Sequence, residues 1–257
     1  MKNRIFDSHA HYDDTAFDAD RDELLRELPA RGVGAVINAA TDPDSARRCL
    51  ALAARYPYLR TAVGIHPGEA GRATDEWLIE IERLSHEAGV VAIGEIGLDY
   101  HYEDACPRHE QLRWFRAQLA LAVARDLPVI VHDREAHEDT LALLREYRPR
   151  GVVHCFSGSV EMMQQVVELG MYIGLGGVTT FKNARRPAAV AAAVPADRLL
   201  LETDAPYMAP EPCRGKRCDS SLIAHTATHI AFLRGVDTET LLAQTFENAC
   251  RLFGVDL

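Results

Sequence analysis

The sequence predicts an α/β fold, a (β/α)8 TIM-type barrel forming a single domain over residues 1–257, on three observations. Short apolar runs alternate eight times with helix-patterned segments, no glycine-rich phosphate turn follows the first run, and histidines or carboxylates stand at the ends of most runs. Strand alternating with helix calls for a parallel sheet, and eight such units match a closed barrel. An open doubly wound sheet is the competing arrangement. It would carry G-x-G-x-x-G after its first strand, where this chain reads "DSHAHYDD".

The runs are, in order, "RIFDSHAH" (4–11), "GAVINAATD" (34–42), "RTAVGIHP" (60–67), "VVAIGEIGLDY" (90–100), "LPVIVHDRE" (127–135), "GVVHCFSG" (151–158), "GMYIGLGG" (170–177) and "LLLETDAP" (199–206). Continuous aliphatic stretches of this kind suit parallel strands covered on both faces. Between the first two, "DADRDELLRELPARG" sets Leu24, Leu25 and Leu28 at helical spacing and ends near Gly32. "DPDSARRCLALAARYP" has Pro43 near its start and Pro57 after its end, where helix boundaries place proline. "EQLRWFRAQLALAVARD" is the longest and most regular helical segment, and residues 220–254 read as two more helices, the last being "LLAQTFENACRLFG". No repeat beyond the βα unit, no low-complexity stretch and no linker divides the chain.

Composition works by exclusion. With 47% hydrophobic and 26% charged residues, the chain has the make-up of a soluble protein with a real core. No apolar run approaches the roughly 20 residues that span a bilayer, and the first residues lack the apolar stretch of a signal peptide. The cysteines, at 49, 106, 155, 213, 218 and 250, form no C-x-x-C pair; they read as reduced thiols, and the expected location is the cytoplasm. A net charge of −10 argues against a protein that coats nucleic acid broadly. An anionic substrate has to be met by a local cluster of positive charge.

Barrels of this type carry their active site at the C-terminal ends of the strands. Here those ends hold His9, His11, His66, Glu95, His132, His154, Glu202 and Asp204. Residues i and i+2 of a strand face the same side, so His9 and His11 aim two imidazoles at one point, as a metal ion requires. Glu202 and Asp204 repeat that spacing. A lone histidine at a strand end is ordinarily just a solvated or hydrogen-bonded side chain. So many converging on one rim are not. Glu95 is flanked by Ile93 and Ile96, where an ionised carboxylate is costly unless a charge or a metal pairs with it.

The motifs "FDSHAH", "GIHP", "GEIGLDY", "LPVIVHDREAHEDTL", "HCFSG", "TFKNA", "ETDAPY", "RGKR" and "NACRLFG" run in this order from residue 5 to residue 254. Together they resemble the TatD family of metal-dependent deoxyribonucleases. The resemblance implies a barrel holding two or more divalent cations (Mg, Zn or Mn). It also implies phosphodiester hydrolysis of the 3′-5′ exonuclease type on nucleic acid, chiefly single-stranded DNA or chain ends. By the family pattern, His9, His11 and Asp204 hold the first metal, His132 and His154 hold the second, and Glu95 bridges the two. Glu202 and His66 match positions linked to an additional cation or to substrate. Neither a membrane nor an obligate protein partner is implied. The chain departs from the pattern after "ETDAPY", where it has Cys213, Cys218 and Ser220. Its C-x4-C spacing lacks the second pair that a small zinc loop would need.

The chemistry is coherent with that set. Two divalent ions about 3.5–4 Å apart neutralise phosphate oxygens and acidify the attacking water. Glu95, with two oxygens, can bridge such a pair, while Asp204 can touch one metal and accept the proton of the water. Imidazole suits zinc and similar ions, whereas family members are commonly magnesium-dependent, so the native ion stays open. Arg134, Lys182 in "TFKNARR" and Arg214 in "CRGKRC" are the expected phosphate contacts. A second reading is another amidohydrolase-like metallo-hydrolase, acting on a small cyclic amide, an ester or aminoacyl-RNA. The fourth strand discriminates, because Glu95 stands where many amidohydrolases place a carboxylated lysine. A third reading, a non-catalytic binding barrel, expects a lost ligand, and all six are present.

Overall fold

Each apolar run contributes one strand, and the strands hydrogen-bond in chain order, every neighbouring pair parallel. The computed structural model describes residues 5–101 and 106–256. Its strands are β1 (Ile5–Ala10), β2 (Val33–Ala39), β3 (Leu59–Val63), β4 (Val90–Asp99), β5 (Val129–Arg134), β6 (Gly151–Val153), β7 (Tyr172–Leu175) and β8 (Leu199–Leu201). Arg4, which opens the first run, lies outside the described residues. The helices between and after them are α1 (Arg21–Glu27), α2 (Pro43–Arg55), α3 (Asp75–Leu84), α4 (Arg108–Arg125), α5 (His137–Tyr147), α6 (Val160–Glu168), α7 (Arg185–Ala193), α8 (Ile223–Arg234) and α9 (Thr238–Phe253). The sheet is the expected eight-stranded barrel. None of the described helices is long and apolar enough to cross a membrane.

Side-chain alternation along the strands creates two cores. Phe6, Ile37, Ile130, Val152 and Leu200 pack with Leu252 and Phe253 of α9, which fill the inside of the barrel away from the site. Val36, Val63, Val129, Val131 and Leu201 belong to the other core, shared with helix residues such as Leu52, Trp114 and Leu119. The first helical segment is shorter than its pattern: α1 stops at Glu27 and the chain continues as a 3-10 turn, Leu28–Arg31. Pro29 is the reason, because it has no N–H to donate to the preceding turn. By contrast α2 begins as expected, with Pro43 in its first turn and the Asp42 carboxylate accepting from the Ser45 amide at 2.7 Å.

Closure between β1 and β8 is thin in backbone terms. Among the described residues a single parallel bridge, Ala10↔Ala205, joins them, with His11 N–H to Ala205 O at 2.7 Å and Asp204 N–H to His9 O at 2.9 Å. Side chains complete the seam. The buried Asp7 carboxylate accepts from the Thr203 amide at 3.0 Å, the Thr203 hydroxyl at 2.6 Å and the Ser220 hydroxyl at 2.6 Å. Ser8 adds a hydroxyl bond to Leu201 O at 3.1 Å.

Candidate metal centre

Strand length and ladder irregularity decide where each ligand-type side chain ends up. β6 and β8 are short, so His154 follows β6 directly and Asp204 lies three residues beyond the end of β8, whereas Glu95 and His132 lie within the longer β4 and β5. The β1/β2 ladder shifts register between Asp7 and Ala10, and the β4/β5 ladder between Ile93 and Ile96. Such irregularities re-aim side chains beside active sites, and here they flank His9 and Glu95. Asp204 takes a left-handed backbone conformation (φ 61°), one that aspartate tolerates better than most residues. It turns the carboxylate toward β1.

The result is one cluster with a carboxylate at its centre. Glu95, 2% exposed, points its two oxygens in different directions. Oε2 lies 3.3 Å from His9 Nε2 and 3.5 Å from His11 Nε2. Oε1 lies 2.7 Å from both His132 Nδ1 and His154 Nε2, and 3.5 Å from His66 Nε2. Asp204 Oδ1 joins the first group, 3.5 Å from His9 Nε2 and 3.3 Å from His11 Nε2. His9 Nε2 and His11 Nε2 are themselves 3.0 Å apart. Four donors held about 2.1 Å from a common cation would be about 3.4 Å from one another, so these atoms already have the mutual spacing of a ligand shell. Among the described residues, three groups could hold an ion: His9, His154 and Asp204; His9, His11 and Glu95; and His66, Glu95 and His132.

Partners outside the cluster set which ring nitrogen faces it. His11 Nδ1 donates to Ala39 O at 2.8 Å, which leaves Nε2 as the atom able to offer a lone pair. His132 Nε2 donates to Asp99 Oδ2 at 3.0 Å, so Nδ1 is the coordinating atom; this is the carboxylate–histidine arrangement common at metal sites. His66 is built the other way. Its Nδ1 accepts from the Gly68 amide at 3.0 Å, so the neutral ring carries its proton on Nε2 and presents a donor to the cluster. Glu202 stands behind His154: it does not line the cavity, its Oε1 accepts from the Cys155 amide and it approaches His154 Nδ1 to 3.9 Å. The structure therefore separates two residues that the sequence pattern treated alike.

The electrostatics follow from burial opposed by close charge. Burial alone would push the Glu95 carboxyl up, but the imidazoles of His154, His66 and His9 hold it well below the usual carboxylate range. Burial opposes a proton on His11, yet Asp204 and Glu95 beside it raise that imidazole to about 9. His132 likewise rises to about 10 against burial, through its bonds to Asp99 and Glu95. Burial lowers His66 to about 4 and keeps it neutral.

A cavity of about 850 Å³ opens over the cluster. Among the described residues, six carboxylates line it (Asp13, Asp14, Asp18, Glu95, Asp133, Asp204) against three guanidiniums (Arg21, Arg48, Arg134) and the imidazoles of His11 and His132, so bound cations would favour an anion there. Arg134 is where the sequence placed it. Lys182 and Arg214 are not on the cavity wall: both side chains are exposed elsewhere, and the Arg214 guanidinium lies 4.2 Å from the centre of the Phe181 ring. Cys213 and Cys218 are free thiols and belong to none of the described metal-capable groups. Sequence reasoning overlooked Asp7 and Asp99. The available signal was a carboxylate two residues before His9, and another four residues after Glu95 on the same strand.

Comparison with known proteins identifies relatives along nearly the whole chain. Residues 6–254 match the TatD related DNase family. The chain is 39% identical over 255 residues to the metal-dependent hydrolase YabD of Bacillus subtilis (strain 168), covering 98% of this chain and 100% of that one. It is 37% identical over 258 residues to the 3′-5′ ssDNA/RNA exonuclease TatD of Cronobacter sakazakii (strain ATCC BAA-894), covering 97% of each. The crystal structure of YJJV, a TatD homolog from Escherichia coli K12, aligns over 100% of both chains with a TM-score of 0.94 and 35% identity.

Proposed function

The chain belongs to the TatD related DNase family of metal-dependent hydrolases, and on that footing we propose that it is a two-cation nuclease removing nucleotides from the 3′ end of single-stranded nucleic acid. The observation that carries the reading is the divergence of the two Glu95 oxygens, one toward His9 and His11, the other toward His132 and His154. His9, His11 and Asp204 would hold one cation with Oε2, and His132 and His154 the other with Oε1. When bound, such a pair supplies positive charge to the phosphate oxygens and lowers the pKa of the attacking water.

The remaining work falls to the protein. Asp204 takes the proton of the attacking water. Its side chain is 16% exposed, compared with 0% for His9, 10% for His11 and 3% for Glu95, so within that half it is the group water reaches most easily. His66, with its proton on Nε2, donates to a phosphate oxygen instead of holding a third cation. Arg134 adds fixed positive charge on the β5 side. Glu202, 3.9 Å from the outer nitrogen of His154, acts on that ring by its charge across a gap too long for a hydrogen bond. Against the amidohydrolase reading, Glu95 occupies the place on β4 where many amidohydrolases carry a carboxylated lysine.

End-labelled single- and double-stranded DNA and RNA, incubated with Mg²⁺, Mn²⁺ or Zn²⁺ in turn, test the proposal. Stepwise shortening of single strands from the 3′ end, lost on chelation, is expected. Full activity after exhaustive chelation would refute a cation requirement, and cleavage confined to internal sites would refute the exonuclease assignment.

A further inference from the structure

The cavity has two unlike sides. β1 and β8 meet at the seam, and the loops that follow them bring Asp13, Asp14, Asp18, Tyr207 and Met208 to one wall. Arg134 ends β5, halfway round the barrel from β1. The guanidiniums on the seam side are already engaged, Arg21 with Asp18 and loop carbonyls, Arg48 with Asp13. A phosphate is repelled from that wall. The flat, uncharged part of a nucleotide is not.

Tyr207 is 53% exposed, and it alone among the described exposed large apolar side chains lines the cavity; Ile79, Val123, Phe232 and Val236 lie elsewhere. Both ends of the residue are pinned. Its amide donates to Asp204 O at 2.8 Å, and its hydroxyl donates to Asp14 Oδ2 at 2.8 Å. The first bond closes a turn, which keeps the Cα atoms of Asp204 and Tyr207 within about 7 Å. The ring and the carboxylate assigned to the attacking water thus leave neighbouring points of the backbone and line the same cavity. A ring held in place before substrate arrives gives up little further side-chain freedom on binding.

We propose that Tyr207 is the stacking platform for the base of the terminal nucleotide, so that this subsite takes a nucleobase with a free face. Stacking uses the π-face that every base has, so the subsite holds all bases without reading their identity. A base inside a duplex has both faces covered by its neighbours, which makes Tyr207 a source of preference for single strands. The assignment rests on the nuclease reading above.

The test compares kcat/KM of the full-length Mn²⁺-loaded protein on a 5′-labelled single strand and on the same strand with an abasic 3′-terminal nucleotide. Wild type, Tyr207→Leu and Tyr207→Phe are measured, with Mn²⁺ content and Tm determined for each. Tyr207→Leu should lose roughly 5- to 150-fold on the intact strand, mainly through KM. Tyr207→Phe, which keeps the ring but drops the bond to Asp14, should lose only about 2- to 3-fold, the cost of ordering a ring pinned at one end. On the abasic strand all three proteins should converge. The proposal is overturned if Tyr207→Leu loses as much on the abasic strand, or if Tyr207→Phe falls as far as Tyr207→Leu. Should Tyr207→Leu fail to fold, wild type alone decides, since equal rates on the two strands also overturn it. A wild type that cleaves neither strand overturns the nuclease reading itself, and the stacking role with it.

Discussion

In the half of the candidate metal centre that carries Glu95 and His132, backbone does the positioning. β4 and β5 pair from Ile93↔Val129 to Asp99↔Arg134, and a Cβ on Gly97 would run into the His132 backbone, so only glycine permits the approach. In the other half, His9, His11 and Asp204 face each other across a seam with one bridge, and the Asp7 carboxylate supplies much of the remaining connection. A ladder of amides tolerates changes of side chain, because the amide belongs to every residue. A seam closed by named side chains does not. The same barrel thus holds one half of its site by topology and the other by a few irreplaceable groups.

The largest effect is expected at the seam, where the proposed base sits. Asp204→Asn keeps the size of the side chain and one ligand oxygen but removes the base, and kcat should fall about 10²–10⁴-fold with a much smaller change in KM. Metal occupancy has to be measured on the same sample. A kcat within a few-fold of wild type at full occupancy would remove Asp204 from that role.

Asp7→Asn and Asp99→Asn set the two halves against each other. Each carboxylate orients a ligand-bearing element, so each change should weaken one cation by about 10–100-fold and leave the other nearly alone. Asp7→Asn should affect the cation of the His9 half, and Asp99→Asn that of the His132 half. Only Asp7→Asn should also destabilise the fold markedly, by about 3 kcal/mol, because it disrupts several buried donors at once. Equal losses of Tm in the two variants, or equal weakening of both cations by either, would erase the contrast.

Both halves should respond to pH with the same sign. Without a cation, His11 and His132 are raised to about 9 and about 10, so near neutrality each holds a proton that an incoming cation must displace. Apparent cation affinity should therefore rise as pH increases from 6 to 8, with protons released on binding. Calorimetry in buffers of different ionisation enthalpy counts those protons. Affinity independent of pH would contradict the raised imidazoles.

The smallest effect belongs to Arg214. Because it lies over Phe181 and off the cavity wall, Arg214→Ala should leave KM and its salt dependence nearly unchanged. Arg134→Ala should lower the salt slope by about one unit, as loss of one phosphate contact does. The reverse result would move the substrate path to the outer loops.

What could be read from sequence divides along physical lines. Buried parallel strands declare themselves as aliphatic runs, and a histidine or carboxylate at the end of such a run is conspicuous, so the barrel was legible, and so was the meeting of His9, His11, Glu95, His132, His154 and Asp204 in one cluster. Arg214 and Lys182 were not, because no periodicity governs which way a loop cation faces. For His66 and Glu202 the sequence left cation and substrate roles open alike, and only their hydrogen-bond partners tell the two apart. The Gly68 amide turns His66 into a donor, and the Cys155 amide holds Glu202 behind His154. Asp7 was hidden for a related reason: its partners Thr203 and Ser220 come from the far end of the chain, and only closure of the barrel brings them together.

The central claim is that Glu95 joins the two halves. Electron paramagnetic resonance of the protein titrated with Mn²⁺ tests it most directly, since one carboxylate shared by two ions about 3.5–4 Å apart couples their spins. Two Mn²⁺ per chain with a spin-coupled spectrum, lost in Glu95→Ala, is the expected result. One ion per chain, or two uncoupled ions that persist in Glu95→Ala, would contradict it.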